Sequence, residues 1–566
     1  MLNAIVGDNS DVEDMSDEDD DPGVEQLSSE DPIPPYSPES DQQSCDDSNA
    51  ESQLHLHASK RHSDGDRECW DSAPFIPDLV QFEAADKRLH EREDWQPLDY
   101  VEQYIDTELI TRIAKCTNAM SAGHSGGSLH SDTNEIFHFF GASILLSCVP
   151  YPEVRIFWSS ALRISAICDK FPLERFLELS QHLKVVVDDY IFSDQRREDK
   201  FWKIRPFMDR ILKGCWRQVR PEYVLITEQI IPFKGACPFR QHVPLKPQAL
   251  GMRTFVLASP DGIVLDFEVY QGANAHRSSQ AQDTEGLGLA ALVIKRLAKD
   301  LQPGTKLYCD CFFTTVKAVD QMLKKKVYLT GPVMESRVNK ALKKLPSNLH
   351  MKQDRRCASA VATRSDGKVC VVKWYDNKPN LMLSAAHAEQ PGDTIQQWSR
   401  KDKQYLTVTR PSIVREYQSK MSGVELLNKV MANYPMTLRT QKWTIQILMH
   451  LTDLALANSW LLYCADHTEQ GTQREDLMQY IDFRVAVALA FLAKGETPQV
   501  TPVPHVSAGT TSVTHLPEMV TLKNAAWCRA TGCTEKSCVR CVTCDAFLCL
   551  KPERNCYAVF HTGRQV

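Results

Sequence analysis

The chain lacks a hydrophobic run long enough to cross a bilayer. Its longest apolar stretch, residues 136–149, is broken by His138 and falls short of the roughly 20 residues that a span requires. No signal-peptide pattern opens it, and no strong basic localisation cluster stands out; the three lysines at 324–326 read as a helix end. Cations are almost missing from the start: residues 1–60 hold 17 acidic side chains and one lysine, a charge of −16. These absences argue against a membrane protein. They lead to the expectation of a soluble intracellular protein whose cysteines are reduced thiols.

What remains is ample. A chain of 566 residues can bury a large core, and its apolar fraction of 43% is ordinary for a soluble protein. Beyond residue 60 the balance reverses, with 64 basic against 56 acidic residues, or +8. That surplus is compatible with a nucleic-acid partner and equally with a mixed surface. Residues 1–82 are acidic, rich in Ser and Pro, and poor in groups that can pack, so they are expected to be a disordered tail. Ser16 sits in its acidic run as a candidate phosphorylation site, the plainer reading being a solubilising tail.

Residues 83–222 read as helical. EIFHFFGASILLSC, RFLELSQHLKVVV and FMDRILKGCWRQV carry apolar residues at spacings of three and four. Residues 223–333 alternate strand and helix. YVLITEQI, MRTFVLAS and IVLDFEVYQG read as strands, with Pro260, Asp261 and Gly262 as the turn joining the last two. The amphipathic LGLAALVIKRLAKDL, the strand KLYCDCFF, the helix TTVKAVDQMLKKK and the strand VYLTG follow. Spacing alone supports an α/β or α+β class. Residues 334–418 are less regular, with short strand runs such as VCVVKWYDNK and LMLSAAH. Residues 419–497 are helical again, and the apolar stripe of TIQILMHLTDLALANSWLLYC reads as core-packing. A linker at 498–514 leads to the tail at 515–566.

That tail is rich in cysteine: seven of the 19 lie in the last 39 residues. Cys541 and Cys544 are separated by two residues, a zinc-knuckle spacing, and Cys-x4-Cys and Cys-x4-His pairs surround them. Two tetrahedral sites need eight ligands, and the best eight are His515, Cys528, Cys533, Cys541, Cys544, Cys549, Cys556 and His561, omitting Cys538. Their interleaved order points to a cross-brace holding two structural Zn²⁺ ions; disulfides are the alternative.

The segment TEQIIPFKG, followed by CPFRQHVPLKPQALGMRTFVLASPDGIVLDFEVYQG, resembles the centre of the piggyBac transposases and of host proteins derived from them. TNEIFHFFGASILL, FWSSA, FPLERFLELSQHL, KIRPFMDRIL, VVKWYDNK, RPSIVREYQSKMSGVE and CVRCVTCDAFLC are similar to other family segments, in the same order. The resemblance covers about residues 85–561. It implies an α/β protein with an RNase H-like transposase core at 223–333, an inserted subdomain at 334–418, and core-completing helices at 419–497. It further implies a helical dimerisation and DNA-binding region at 83–222 and a zinc-binding cross-brace at 515–566. Duplex DNA, a homodimer and a nuclear location come with it.

The family's chemistry uses three carboxylates, which the resemblance maps to Thr227, Asp310 and Glu425. Two-metal phosphodiester cleavage needs charged oxygens around Mg²⁺ ions about 3.5–4 Å apart. Thr227 is neutral where the family has Asp. Glu425 keeps the charge on a longer arm, and Asn428 stands where relatives carry a further Asp. Glu228 is no substitute, because adjacent strand residues face opposite ways. The expectation is a transposase-derived DNA-binding protein without catalytic activity. The alternatives are a residual Mg²⁺-dependent nuclease using Asp310 and Glu425, or a protein-interaction scaffold acting through the zinc tail or acidic arm.

Overall fold

The computed structural model describes residues 69–84, 89–125, 128–149, 151, 153–243, 250–272, 287–354, 358–375, 378–399, 404–436, 440, 442–495, 515–520, 525–551 and 554–562. The expected acidic tail lies outside the described residues as far as residue 68. Its last part is not structureless: Trp70–Asp71 form strand β1, with Trp70 buried. Trp70 and Phe75 supply the apolar anchors that the preceding acidic sequence lacks.

A ten-stranded sheet organises the body. Its strands are β1, β2 (Tyr223–Pro232), β3 (Arg240–His242), β4 (Leu250–Ala258), β5 (Val264–Val269), β6 (Lys306–Cys309), β7 (Tyr328–Pro332), β8 (Ser359–Arg364), β9 (Cys370–Tyr375) and β10 (Pro379–Ser384). The spatial order is β1-β8-β9-β10-β7-β6-β2-β4-β3, with β5 also paired to β4. β4 pairs antiparallel with both β2 and β5. β2 then pairs in parallel with β6, and β6 with β7. Parallel neighbours need crossover connections, and the helices Leu289–Leu297 and Val316–Leu323 supply them. The turn expected at 260–262 joins β4 to β5. Gly262 has φ +86°, which a side chain would resist.

Residues 334–418 do not stand apart from this sheet. β8, β9 and β10 continue it beyond β7, antiparallel throughout. The hairpin β11 (Asp393–Ser399) and β12 (Gln404–Arg410) forms a separate two-stranded sheet.

Both sheet faces are covered, so β2 is buried on both sides along most of its length, its polar Thr227, Glu228 and Gln229 included. On one face Val224, Ile226, Leu307 and Cys309 pack against the two crossover helices. On the other, Leu225, Met252, Val256 and Tyr308 join a larger core built from the helices before and after the sheet. The helix Trp443–Glu469 lies at the heart of that core and is buried on nearly every side. Its polar residues serve the backbone around them. Asn458 accepts from Val264 N–H (2.8 Å) and donates to Val264 C=O (2.9 Å), satisfying groups on β5's free edge.

The tail carries three short two-stranded ladders and the helix Cys556–Thr562. Its buried core is Cys528, Ala530, Cys541, Ala546, Leu548, Cys549, Cys556 and Tyr557. Half of that core is cysteine, which is too little hydrocarbon to hold a fold by itself.

Candidate active site and metal centres

The β2–β6 pairing places the first two mapped positions. Leu225 is level with Tyr308 and Ile226 with Cys309, so the next residues along the two segments are Thr227, midway along β2, and Asp310, just past the end of β6. Alternation sends Thr227 to the face that holds Leu225 and Tyr308. β6 stops at Cys309, and Asp310 opens the loop that follows. Its Oδ1 accepts from Phe312 N–H (3.0 Å), and its carbonyl accepts from the N–H groups of Phe313 and Thr314. Arg337 holds the same loop from outside, donating to the carbonyls of Cys311, Phe312 and Thr314 at 2.8, 3.0 and 3.1 Å.

The third position comes from the helix Ser412–Asn433. Leu427 and Val430 bury it against the Leu225 face of the sheet. Gln229, on the same side of β2 as Thr227, donates from Nε2 to Asn428 Oδ1 at 2.7 Å. That bond ties the helix to the strand. Glu425 lies three residues earlier on the same stripe and is exposed.

Glu228 points the other way. It sits opposite Phe255, which belongs to the core on the far face of the sheet. There it is buried and paired with Arg253 at 2.7 Å. The Arg253 guanidinium also lies over the rings of Phe255 and Phe312, 5.0 and 4.2 Å from their centroids. The acid next to Thr227 is therefore already neutralised, and its partner steadies the Asp310 loop through Phe312. Sequence reasoning did not find Arg253, Gln229 or Arg337. Each acts through a neighbour fixed by sheet register or by a crossover, and no local signal marks them.

The eight tail residues fall into two groups. His515, Cys541, Cys544 and His561 form one; Cys528, Cys533, Cys549 and Cys556 form the other. Within each group the ligand atoms lie within 4.8 Å of one another. Among the described residues, groups of three or more such ligands occur only here. The order along the chain is one ligand of the first group, two of the second, two of the first, two of the second, one of the first. Cys538 belongs to neither.

The donor atoms fit a tetrahedral ion. The Sγ atoms of Cys533 and Cys549 are 3.8 Å apart. Two Zn–S bonds of about 2.3 Å at a tetrahedral angle give about 3.8 Å. His515 Nδ1 is 3.6 Å from Cys541 Sγ and 3.1 Å from Cys544 Sγ. His561 contacts the Tyr557 carbonyl through Nδ1 at 2.8 Å, while its buried Nε2 has no hydrogen-bond partner. A ring held through one nitrogen, with the other bare and turned into a cluster, is how a metal-binding histidine is oriented. The Cys544 N–H also points at Cys541 Sγ (3.5 Å), a further donor to a thiolate.

Comparison with known proteins places these features. A transposase family model, described as Transposase IS4, matches residues 96–460. The human PiggyBac transposable element-derived protein 3 is 24% identical over 483 residues, which cover 82% of this chain and 76% of that protein. The human PiggyBac transposable element-derived protein 2 is 24% identical over 401 residues, covering 70% of this chain and 66% of its own. A piggyBac transposase, solved by cryo-EM as a synaptic complex with hairpin DNA, shares the fold. The TM-score is 0.60 at 21% identity, covering 83% of this chain and 98% of that one.

Proposed function

This chain belongs to the transposase family so matched, among the piggyBac transposable element-derived proteins, and on that premise we propose that it binds duplex DNA without cleaving it. The observation that carries this reading is the polarity of β2 where its pairing with β6 ends. Thr227 is buried and neutral beside Asp310, while Glu228 is spent on Arg253 behind the sheet. Hard divalent ions such as Mg²⁺ need charged oxygens. Here the donors are one hydroxyl, one loop carboxylate, one exposed Glu425, and an Asn428 amide already engaged by Gln229. That set does not fit a two-metal centre.

We read the sheet order β5-β4-β2-β6-β7, three antiparallel strands and then two parallel ones, as an RNase H-like core. We read the tail as a two-zinc cross-brace, its ions serving to hold the fold. The basic surplus outside the acidic arm, and the hairpin DNA of the solved piggyBac synaptic complex, support duplex DNA as the partner. A nuclear site of action and a homodimer follow from the same reading.

The test is selection of sites from a random duplex pool with zinc-loaded full-length protein, followed by a nicking assay with Mg²⁺ on the selected site. An enriched, salt-sensitive motif that is lost with Cys541→Ser and Cys544→Ser, and no nicking, is the expected outcome. Nicking abolished by Asp310→Asn would refute the loss of chemistry. Absence of any enrichment would move the function to protein binding, for which the tail exposes Leu516, Met519, Trp527 and Val542.

A further inference from the structure

The two clusters of the tail are joined by one short helix. Cys556–Thr562 starts on a ligand of the four-cysteine cluster and carries His561 of the mixed cluster near its end. Tyr557 stands between them. Its backbone N–H donates to the carbonyl of Cys549, a ligand of the first cluster (3.2 Å). Its carbonyl meets Nδ1 of His561, a ligand of the second (2.8 Å). Its ring packs on His561 with centroids 4.5 Å apart. The side chain is buried, and its hydroxyl is enclosed without an oxygen or nitrogen partner, against the Cys541 sulfur.

Filling one cluster therefore acts on the other. A metal held by Cys549 and Cys556 fixes the start of the helix and the two backbone groups of Tyr557. That sets the direction of the His561 ring and presses the phenol on Cys541. Conversely, a metal on His561 and Cys541 immobilises the helix that presents Cys556. The mixed cluster also takes the outermost ligands, His515 and His561, so it closes only when the segment between them is in place. From this, resting on the reading of the tail as a zinc domain, we infer that the two sites load as one cooperative unit and that Tyr557 is the residue that couples them.

Native mass spectrometry of zinc-stripped full-length protein at half-saturation with Zn²⁺ decides the matter. Two independent sites, equal or unequal, leave the one-metal species at about one half of the protein or more; a tenfold coupling lowers it to about one quarter. We expect the parent below one half. Tyr557→Ala, which removes no ligand and keeps both backbone links but loses the ring and the hydroxyl, is expected to raise the one-metal species toward one half. Tyr557→Phe, which keeps the ring and loses only the hydroxyl, should lie between the two and still take two metals. A one-metal species at half or more in the parent would overturn the coupling. Unchanged coupling in Tyr557→Ala would overturn the role of Tyr557. A protein that takes up no zinc would instead remove the zinc-domain reading itself, and this inference with it.

Discussion

Replacing Thr227 with Asp restores the charge that this position of β2 lacks, and its consequence can be worked from burial. Thr227 is 6% exposed and follows Ile226, whose partner Cys309 immediately precedes Asp310. A carboxylate there loses most of its solvent and gains a like charge beside it, and both effects raise its pKa. A rise of about two units costs about 2.7 kcal/mol at neutral pH, because each unit is about 1.4 kcal/mol. With metal chelated, Thr227→Asp is therefore expected to be less stable than the parent by about 2–4 kcal/mol. A divalent ion that bridges the introduced carboxylate and Asp310 cancels this term. Mg²⁺ at about 100 times its Kd contributes about 2.7 kcal/mol, close to the whole loss. The assay is denaturant unfolding of parent and variant, each with chelator and with Mg²⁺. The parent should be indifferent to Mg²⁺ and the variant should recover. The reasoning fails if the parent gains as much from Mg²⁺ and loses that gain with Asp310→Asn. It also fails if the variant, with Asn428→Asp added to complete the helix side, shows no response to metal.

Three further perturbations test the helical core and the loop at Asp310. Arg484 is fully buried and bonded to Asp453 (2.9 Å), Tyr480 and Ser147, so Arg484→Ala should cost about 3–5 kcal/mol in denaturant unfolding by leaving Asp453 unpaired. Arg484→Met with Asp453→Leu should recover most of that loss, although the Met436 N–H loses its acceptor. Burial holds the His450 imidazole down to about 4, so the unfolded chain takes up a proton first as the pH falls. Stability should be intact above about pH 6.5 and decline toward pH 4, and His450→Gln should flatten that decline by up to about 3 kcal/mol in an unfolding series against pH. A methyl at Gly331 of β7 would sit 2.4 Å from the Cys309 carbonyl and 2.3 Å from Thr314 Oγ1. Gly331→Ala should thus cost about 1–3 kcal/mol in thermal unfolding, and hydrogen exchange should report loosening of the Asp310 loop.

Much of the architecture was legible from local pattern. The β-branched and aromatic run at 223–226 marked β2, and Pro260 to Gly262 marked the turn that follows β4. The cation-tipped helix after residue 287 was legible for the same reason: its periodicity is written in its own residues. The opposed directions of Thr227 and Glu228 also follow from period two alone. Strand partners are another matter. Residues 359–384 read as scattered short strands, and nothing in them says that they prolong the same sheet beyond β7. Trp70 fell within the stretch 1–82 expected to be a disordered tail, and only its pairing with β8 makes it part of a strand.

The sequence by itself determined which residues are candidates for the chemistry: the missing acid at 227, the eight tail ligands, and the exclusion of Cys538. Residue type and spacing suffice for the tail, because ligand softness and spacing are local properties; position 227 came from the resemblance of its segment to the piggyBac transposases. The tertiary structure alone decided which ligands share a cluster, that Gln229 closes on Asn428, that Glu228 is neutralised by Arg253, and that Tyr557 touches both clusters. Those facts depend on hydrogen-bond register and packing between segments up to some 200 residues apart, as for Gln229 and Asn428, and no short stretch of chain encodes the distance to its partner.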